Sequence, residues 1–210
     1  MSRYHSPIRS YSYDPSFLGA QTTTDNQFVA DATYGEMVRK TVIACADVVC
    51  VVKDTRGRVG RKLYLARRNI YPMKGVWVIG GRIFFNDPTI VSSVLRSTKR
   101  ETGVEFAVER FIPLATNLYT WGKVAQGDFP GKNLACTFLL VLSEAEAAAV
   151  SGALIKGEYE PGFGLQGFTR ARLGREMCHP MLLDLYDQIF PDQKTRVAAV
   201  RLAKLPVWQR

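Results

Sequence analysis

Two arginines and a pair of adjacent glycines are the residues of this sequence best suited to binding a phosphorylated ligand. Arg82 directly follows Gly80-Gly81, and Arg68 lies one loop earlier, before Pro72. A guanidinium group offers paired N–H donors to phosphate oxygens, and a glycine pair lets the main chain approach a ligand closely. The glycine pair therefore predicts a place where the main chain approaches a ligand closely.

The elements around the glycine pair have the order needed to hold such a site. A short apolar strand at residues 76–79 leads into the glycines. Asp87-Pro88-Thr89 then predicts a helix start, because proline and aspartate are favoured in a first helical turn. Gly103 predicts the C-terminal cap. Mostly apolar residues recur between them at helical spacing, namely Ile90, Val91, Val94, Leu95 and Thr98, and the far face carries Arg96, Lys99, Arg100 and Glu101.

The spacing from Gly81 to Gly103 resembles the Nudix box, in which a glycine is followed by five residues, a glutamate, seven residues and then Arg-Glu-x-x-Glu-Glu-x-Gly. Asp87 stands at the first glutamate and Glu101 at the last one, while Arg96 takes the arginine position after one extra residue. The resemblance implies an α/β fold: a Nudix-type α/β/α sandwich with a mixed sheet, plus an N-terminal arm and C-terminal helices.

The carboxylate set of the box is incomplete here, since Ser97 and Arg100 stand where the pattern has two further glutamates. Carboxylates one helical turn apart share a face and together hold Mg²⁺ or Mn²⁺, which neutralises a diphosphate and activates water. With two carboxylates replaced, we expect one Mg²⁺ (or Mn²⁺) ion. The resemblance implies Glu101, Asp87 and the backbone carbonyl of Gly81, or of its neighbour Gly80, as its ligands.

A longer run resembles one branch of the Nudix family, the GDP-mannose mannosyl hydrolases. Residues 64–83, YLARRNIYPMKGVWVIGGRI, share with that branch an arginine after the glycine pair and a proline before a Gly-aromatic-Trp element. The likeness covers residues 36–105. It implies that Arg68 and Arg82 contact the diphosphate and act in catalysis together with Glu101.

In that branch a histidine from a late Gln-His pair assists water in attacking the sugar carbon. The corresponding region of this chain, residues 158–166, contains no histidine. Glu158, Glu160 and Gln166 are candidates to replace it as base or metal ligand, and spacing does not select among them. His179 precedes Pro180 at a predicted helix start, so we interpret it as a capping or packing residue.

Two aromatic residues begin a glycine-rich segment at residues 119–133, which we predict to be a loop long enough to act as a lid or binding loop. Tyr119 and Trp121, beside Lys123, are candidates to stack on a nucleobase of the substrate. Burial of these rings against the edge of the sheet is the alternative.

The remaining sequence predicts a sheet with flanking helices. An apolar run from Val42 predicts a strand buried on both faces, and a turn at residues 54–60 predicts that it pairs with residues 62–66 as a hairpin. Further strands are expected at residues 106–118, irregular around Pro113, and at 135–142. Helices are expected at residues 144–150 and 181–189.

Length and composition favour one soluble domain, since 47% of the 210 residues are hydrophobic and 22% are charged. We expect a loosely docked arm at residues 1–35, a Nudix-like domain at 36–192 and a basic helix or tail at 193–210. The polar N-terminus, the lack of Cys-x-x-Cys spacing and the absence of a long apolar run favour a cytoplasmic protein without a membrane span.

A formal net charge of +9 favours anionic partners. We expect a nucleoside diphosphate sugar or another nucleotide, cleaved by a Mg²⁺-dependent hydrolase that releases the nucleoside diphosphate. The alternative is a catalytically inactive Nudix-like module that binds a nucleotide or RNA. The missing histidine and carboxylates favour this alternative, whereas Arg68, Arg82 and Glu101 favour the hydrolase. The resemblance also implies a homodimer.

Overall fold

The computed structural model describes residues 31–84, 87–176 and 178–191, with the backbone alone at 31 and 32. Its helices are α1 (Asp31–Lys40), α2 (Ile90–Thr102), α3 (Glu144–Ala153), α4 (Arg170–Arg175) and α5 (Pro180–Ile189). Its strands are β1 (Val42–Lys53), β2 (Leu63–Arg68), β3 (Gly75–Trp77), β4 (Ile79–Arg82), β5 (Phe111–Trp121), β6 (Gly131–Ser143) and β7 (Gln166–Phe168), and a 3₁₀ turn covers Val108–Arg110.

A mixed sheet forms the centre of the fold. Its main path runs β3-β2-β1-β6-β5, while β4 pairs with β1 and β7 pairs with β2. The β1–β6 pair is parallel, and the other pairs are antiparallel. The predicted hairpin of β1 and β2 is confirmed by the pairing of Cys50 with Tyr64.

The central strand β1 divides the core into two layers, because successive side chains of a strand point to opposite faces. Val49 and Val51 pack on the face covered by α4 and α5. Val48 and Cys50 pack on the other face, together with residues of α2 and α3. The expected α/β architecture, with helices on both sides of a mixed sheet, is therefore confirmed.

Helix α2 ends at Gly103 as the sequence predicts, but Asp87 and Pro88 precede its N-cap instead of lying in its first turn. The Thr89 side chain caps its N-terminus by accepting a hydrogen bond from the Ser92 N–H at 3.0 Å. Gly103 ends it in the left-handed conformation with φ of 64°, which glycine adopts without steric cost. This helix carries Arg96, Arg100 and Glu101 past the glycine pair of β4.

Two predictions are wrong in their bounds. The segment predicted as a loop at residues 119–133 lies largely in strands, since β5 continues to Trp121 and β6 begins at Gly131, so the connection covers residues 122–130. Strand β5 begins at Phe111 rather than at 106, although its predicted irregularity is confirmed by a register shift after Pro113. Helix α1 spans the boundary predicted after residue 35, and the division into arm, domain and tail stays a prediction.

The basic tail at 193–210 and most of the predicted arm lie outside the described residues. Within the residues that are described, no helix is both long and apolar enough to cross a membrane.

Candidate functional site

A cleft of about 200 Å³ opens where strands β1, β2 and β4 meet helix α2. Its walls combine cations, carboxylates and aromatic rings. The charged residues of the lining are Asp47, Arg68, Arg82, Arg96, Arg100 and Glu158, and the ring-bearing ones include Tyr34, Tyr71, Trp77, Tyr119 and Trp121. Cationic side chains outnumber carboxylates in this lining by four to two, so the cleft attracts anions.

The structure brings Arg68 and Arg82 to the same cleft, as the sequence predicts. Arg68 pairs loosely with Glu158, at 3.7 Å between Nη2 and Oε2, and its buried Nε finds no hydrogen-bond acceptor among the described residues. Arg82 forms no ion pair with any described carboxylate, and its guanidinium lies 4.1 Å from the ring centre of Tyr34 in α1. Both arginines therefore retain N–H donors for an anionic ligand.

Asp47 is a lining residue that sequence reasoning did not assign to the site. It lies in the middle of β1 opposite Gly80 of β4, and only 6% of its surface is exposed. Burial raises the pKa of Asp47 to about 7, and the carboxylate of Glu101 adds to this rise while the charge of Arg68 opposes it. A carboxyl group that ionises near neutral pH is suited to general-base chemistry.

Glu101 lies behind the cleft wall rather than on it. Its side chain is 1% exposed, and it accepts hydrogen bonds from the Gly80 N–H at 3.3 Å, from the Tyr159 hydroxyl and from Arg100 at 2.7 Å. Burial raises the pKa of Glu101. Burial, together with the charge of Glu101, also raises the pKa of the Tyr159 hydroxyl. The phenol therefore keeps its proton and donates the hydrogen bond. The carboxylate thus positions Arg100 and the backbone of β4.

Arg100 connects this buried carboxylate with the cleft. Its Nη2 binds Oε1 of Glu101, and its Nη1 lies 3.4 Å from Oε1 of Glu158. A methyl group added at Gly81 would lie 3.8 Å from Nη2 of Arg100. The residue that stands at a glutamate position of the Nudix pattern is therefore a cation held between two carboxylates.

Asp87 lies apart from the cleft lining, where it holds the start of α2. Its carboxylate accepts hydrogen bonds from Arg96 at 2.7 and 2.8 Å, from Ser93 at 2.5 Å and from the Phe84 N–H at 2.7 Å. Burial alone raises the pKa of a carboxyl, but these hydrogen bonds outweigh burial and hold the pKa of Asp87 below its ordinary value. The residue predicted as a metal ligand is instead engaged in an ion pair with Arg96.

The two glycines of β4 serve close packing. Both lie in strand β4, and neither has a positive φ. A methyl group on Gly80 would lie 2.7 Å from the carbonyl oxygen of Ala46, and one on Gly81 would lie 3.2 Å from the Cβ of Ser97. Glycine is needed here because β4 lies tightly between β1 and α2.

Tyr119 and Trp121 are strand residues with buried rings. Their exposed fractions are 4% and 6%. Together with Trp77 and His179 they form a cluster whose ring centres are 5.4 to 5.7 Å apart. The rings form one apolar wall of the cleft, and they reach it from β5 and β3 rather than from a loop.

The predicted role of His179 as a cap is confirmed, because its Nδ1 accepts a hydrogen bond from the Met181 N–H at 3.2 Å. Among the three late candidates for a base, the structure brings only Glu158 to the cleft lining. Glu160 pairs with Arg67 at 3.7 Å, and Gln166 accepts a hydrogen bond from Arg172 at 2.8 Å.

The described residues do not fit a Mg²⁺ ion. Glu101 directs its oxygens to three donors, Asp87 is paired with Arg96, and Gly81 lies opposite Ala46 in the β1–β4 ladder. Across residues 31–84, 87–176 and 178–191, no three His, Cys, Asp or Glu side chains are grouped so as to hold a metal. Magnesium needs several oxygen ligands that face it, so its presence stays a prediction that these residues do not support.

No protein-family model and no curated protein matches the sequence. Similar solved structures include a MutT protein from Methanosarcina mazei Go1 (15% identical, TM-score 0.47, covering 70% of this chain and 93% of that one). Another is the NUDIX domain of Shewanella oneidensis NrtR, complexed with ADP ribose (15% identical, TM-score 0.47, covering 82% of this chain and 96% of that one). A third is C. elegans Ap4A hydrolase (11% identical, TM-score 0.44, covering 71% of this chain and 96% of that one).

Proposed function

We propose that this chain is a Nudix-like hydrolase of a nucleoside diphosphate derivative and that the described cleft binds the diphosphate. The observation that carries the proposal is the convergence of Arg68, Arg82 and Arg100 with Asp47 in one cleft. A buried Nε on Arg68 without a described acceptor supports it, because an unpaired buried donor is costly unless a ligand satisfies it.

The three guanidinium groups provide the charge that a diphosphate leaving group requires. As the bond between the sugar and the diphosphate breaks, its electron pair passes to a phosphate oxygen, and the arginines stabilise the resulting charge. The resemblance to GDP-mannose mannosyl hydrolases makes a nucleoside diphosphate sugar the preferred substrate. The aromatic wall of Trp77, Tyr119 and Trp121 gives the uncharged part of the ligand an apolar surface.

Asp47 is the residue we propose as the base. In its ionised form it takes a proton from the attacking water as the oxygen of that water bonds to the sugar carbon. The products are the free sugar and the nucleoside diphosphate, and Asp47 then releases the proton to solvent, so atoms and charge balance. Asp47 thus supplies the function of the histidine that residues 158–166 lack.

The test is release of GDP from GDP-mannose and GDP-glucose, and of the corresponding nucleotides from a wider panel, with and without Mg²⁺. We expect at least one substrate to turn over. Asp47→Asn is expected to lower the rate by about 10²–10⁴-fold without abolishing binding, while Asp54→Asn, in the exposed turn after β1, leaves it unchanged. If no substrate is hydrolysed, the catalytic part of the proposal is overturned.

A binding module without catalysis is the second candidate, and the position of Glu101 favours it. That carboxylate, which the resemblance implies as the metal ligand, is covered by Gly80, Tyr159 and Arg100. This candidate predicts GDP binding in the absence of any turnover, and RNA is the other ligand to include in the same titrations.

A further inference from the structure

We infer that the guanidinium group of Arg100 occupies the place of a metal ion, so that this cleft binds a diphosphate without a divalent cation. The inference rests on the proposed function, because it concerns how the same cleft neutralises the same ligand.

The first support is the position of the cation between two carboxylates. Nη2 of Arg100 lies 2.7 Å from Oε1 of Glu101, and Nη1 lies 3.4 Å from Oε1 of Glu158. Carboxylates that converge in this manner are the usual surroundings of a divalent ion. Here they surround a guanidinium whose residue stands at a glutamate position of the Nudix pattern.

The second support is the burial of Glu101. Its remaining oxygen accepts hydrogen bonds from the Gly80 N–H and from the Tyr159 hydroxyl. A metal ion would have to displace Arg100 from a carboxylate that is 1% exposed. Separating a buried ion pair is unfavourable because it leaves charge without compensation.

The third support is the number of N–H groups that remain. A guanidinium carries five N–H donors, and the side chain of Arg100 is 47% exposed along the cleft wall. Its remaining donors therefore face the space that Arg68 and Arg82 also line. Together, these N–H groups offer phosphate oxygens several donors that do not depend on Mg²⁺.

Binding of Mn²⁺ alone, followed by electron paramagnetic resonance, tests the inference without any nucleotide. Wild-type protein is expected to bind no Mn²⁺ at roughly 1 mM. Arg100→Glu, confirmed as folded by circular dichroism, is expected to bind it. Lys99→Glu is the matched control, because Lys99 is 61% exposed and pairs with the exposed Glu105, so it is expected to behave as wild type.

Two outcomes would overturn the inference. One is Mn²⁺ binding by the wild-type protein that Glu101→Gln abolishes. The other is a folded Arg100→Glu variant that binds no Mn²⁺, since the surrounding carboxylates would then not be a metal site at all.

A calorimetric titration with GDP completes the test. The affinity is expected to be equal in EDTA and in Mg²⁺, to fall by about tenfold or more in Arg100→Ala, and to be unchanged in Lys99→Ala. A tenfold gain on adding Mg²⁺ overturns the inference. Absence of GDP binding in both buffers instead overturns the proposed function, and the Mn²⁺ measurement, which uses no nucleotide, separates the two failures.

Discussion

Asp47 and Gly80 lie opposite each other in the β1–β4 ladder, and the carboxylate of Asp47 occupies the space that a side chain at position 80 would need. A methyl group on Gly80 would lie 2.8 Å from the Cα of Asp47 and 2.7 Å from the carbonyl oxygen of Ala46. The glycine therefore allows a carboxylate to line the cleft from the central strand.

Gly80→Ala is predicted to destabilise the fold and to weaken GDP binding together. Overpacking of this kind costs about 1–3 kcal/mol, because the neighbouring backbone must shift. Gly152→Ala is the control: no atom lies within 4 Å of a methyl group there, and alanine in a helix gains up to about 1 kcal/mol. Thermal unfolding measures the stability of both variants, and calorimetric titration measures their binding of GDP. Equal stability of the Gly80→Ala variant and the wild type would refute the packing at this site.

The rate of hydrolysis is predicted to rise with pH through neutrality. Because the pKa of Asp47 is about 7, the ionised base is scarce at pH 6 and predominant at pH 8, which gives about a tenfold rise in rate. The measurement is the pH profile of kcat/KM, with the Asp47→Asn variant as control. A profile that is flat between pH 6 and 8 would remove Asp47 from the role of base.

The same pKa predicts how Asp47 affects stability. Its pKa is higher in the folded protein than in the unfolded chain, so the stability contributed by the protonated carboxyl is complete below about pH 4 and is lost as pH rises through about 7. Asp47→Asn, which cannot ionise, should therefore gain stability relative to wild type between pH 5 and pH 8. Urea unfolding of the variant and the wild type at pH 5 and pH 8 measures this difference in stability. A constant difference between the two proteins would contradict the raised pKa.

Glu101→Gln is predicted to destabilise the protein by about 1–3 kcal/mol. The carboxylate accepts from Gly80, Tyr159 and Arg100, and an amide would place an N–H₂ group against at least one of these donors. Glu160→Gln is the matched control, because its 43% exposed carboxylate forms only a surface pair with Arg67. If both variants unfold at the same urea concentration, the buried hydrogen bonds of Glu101 do not contribute to the stability of the fold.

The sequence predicted those elements whose signals are local. Helix α2 was predicted from the segment Asp87-Pro88-Thr89, from its apolar spacing and from Gly103, and β1 was predicted from its β-branched apolar residues. The segment at 119–133 was mistaken for a loop because it is rich in glycine, although Tyr119 and Trp121 are residue types that favour strands. Residues 132–133 pair with residues 42–43 of β1, and that long-range pairing leaves no local signal.

The cleft was predicted in part. Arg68 and Arg82 were predicted because the sequence around them resembles the GDP-mannose mannosyl hydrolases. Asp47 was missed, although one carboxylate in an otherwise apolar buried strand is a signal of function, because burying it is unfavourable without a purpose. Tyr34 was missed because it belongs to a segment predicted as an arm. Tertiary packing determines both the ion pair of Asp87 with Arg96 and the burial of Glu101. The spacing of residues in the sequence does not predict such packing.

The most direct test of the central claim is calorimetric titration of GDP into the wild-type protein, Arg82→Ala and Arg58→Ala. Arg82 faces the cleft without a described ion-pair partner, whereas the 70% exposed Arg58 pairs with Asp54 in a surface turn. We predict that Arg82→Ala weakens GDP binding by about 10- to 100-fold and that Arg58→Ala changes it less than about twofold. GDP binding that is absent from the wild type, or equal in all three proteins, would contradict the assignment of this cleft to a diphosphate.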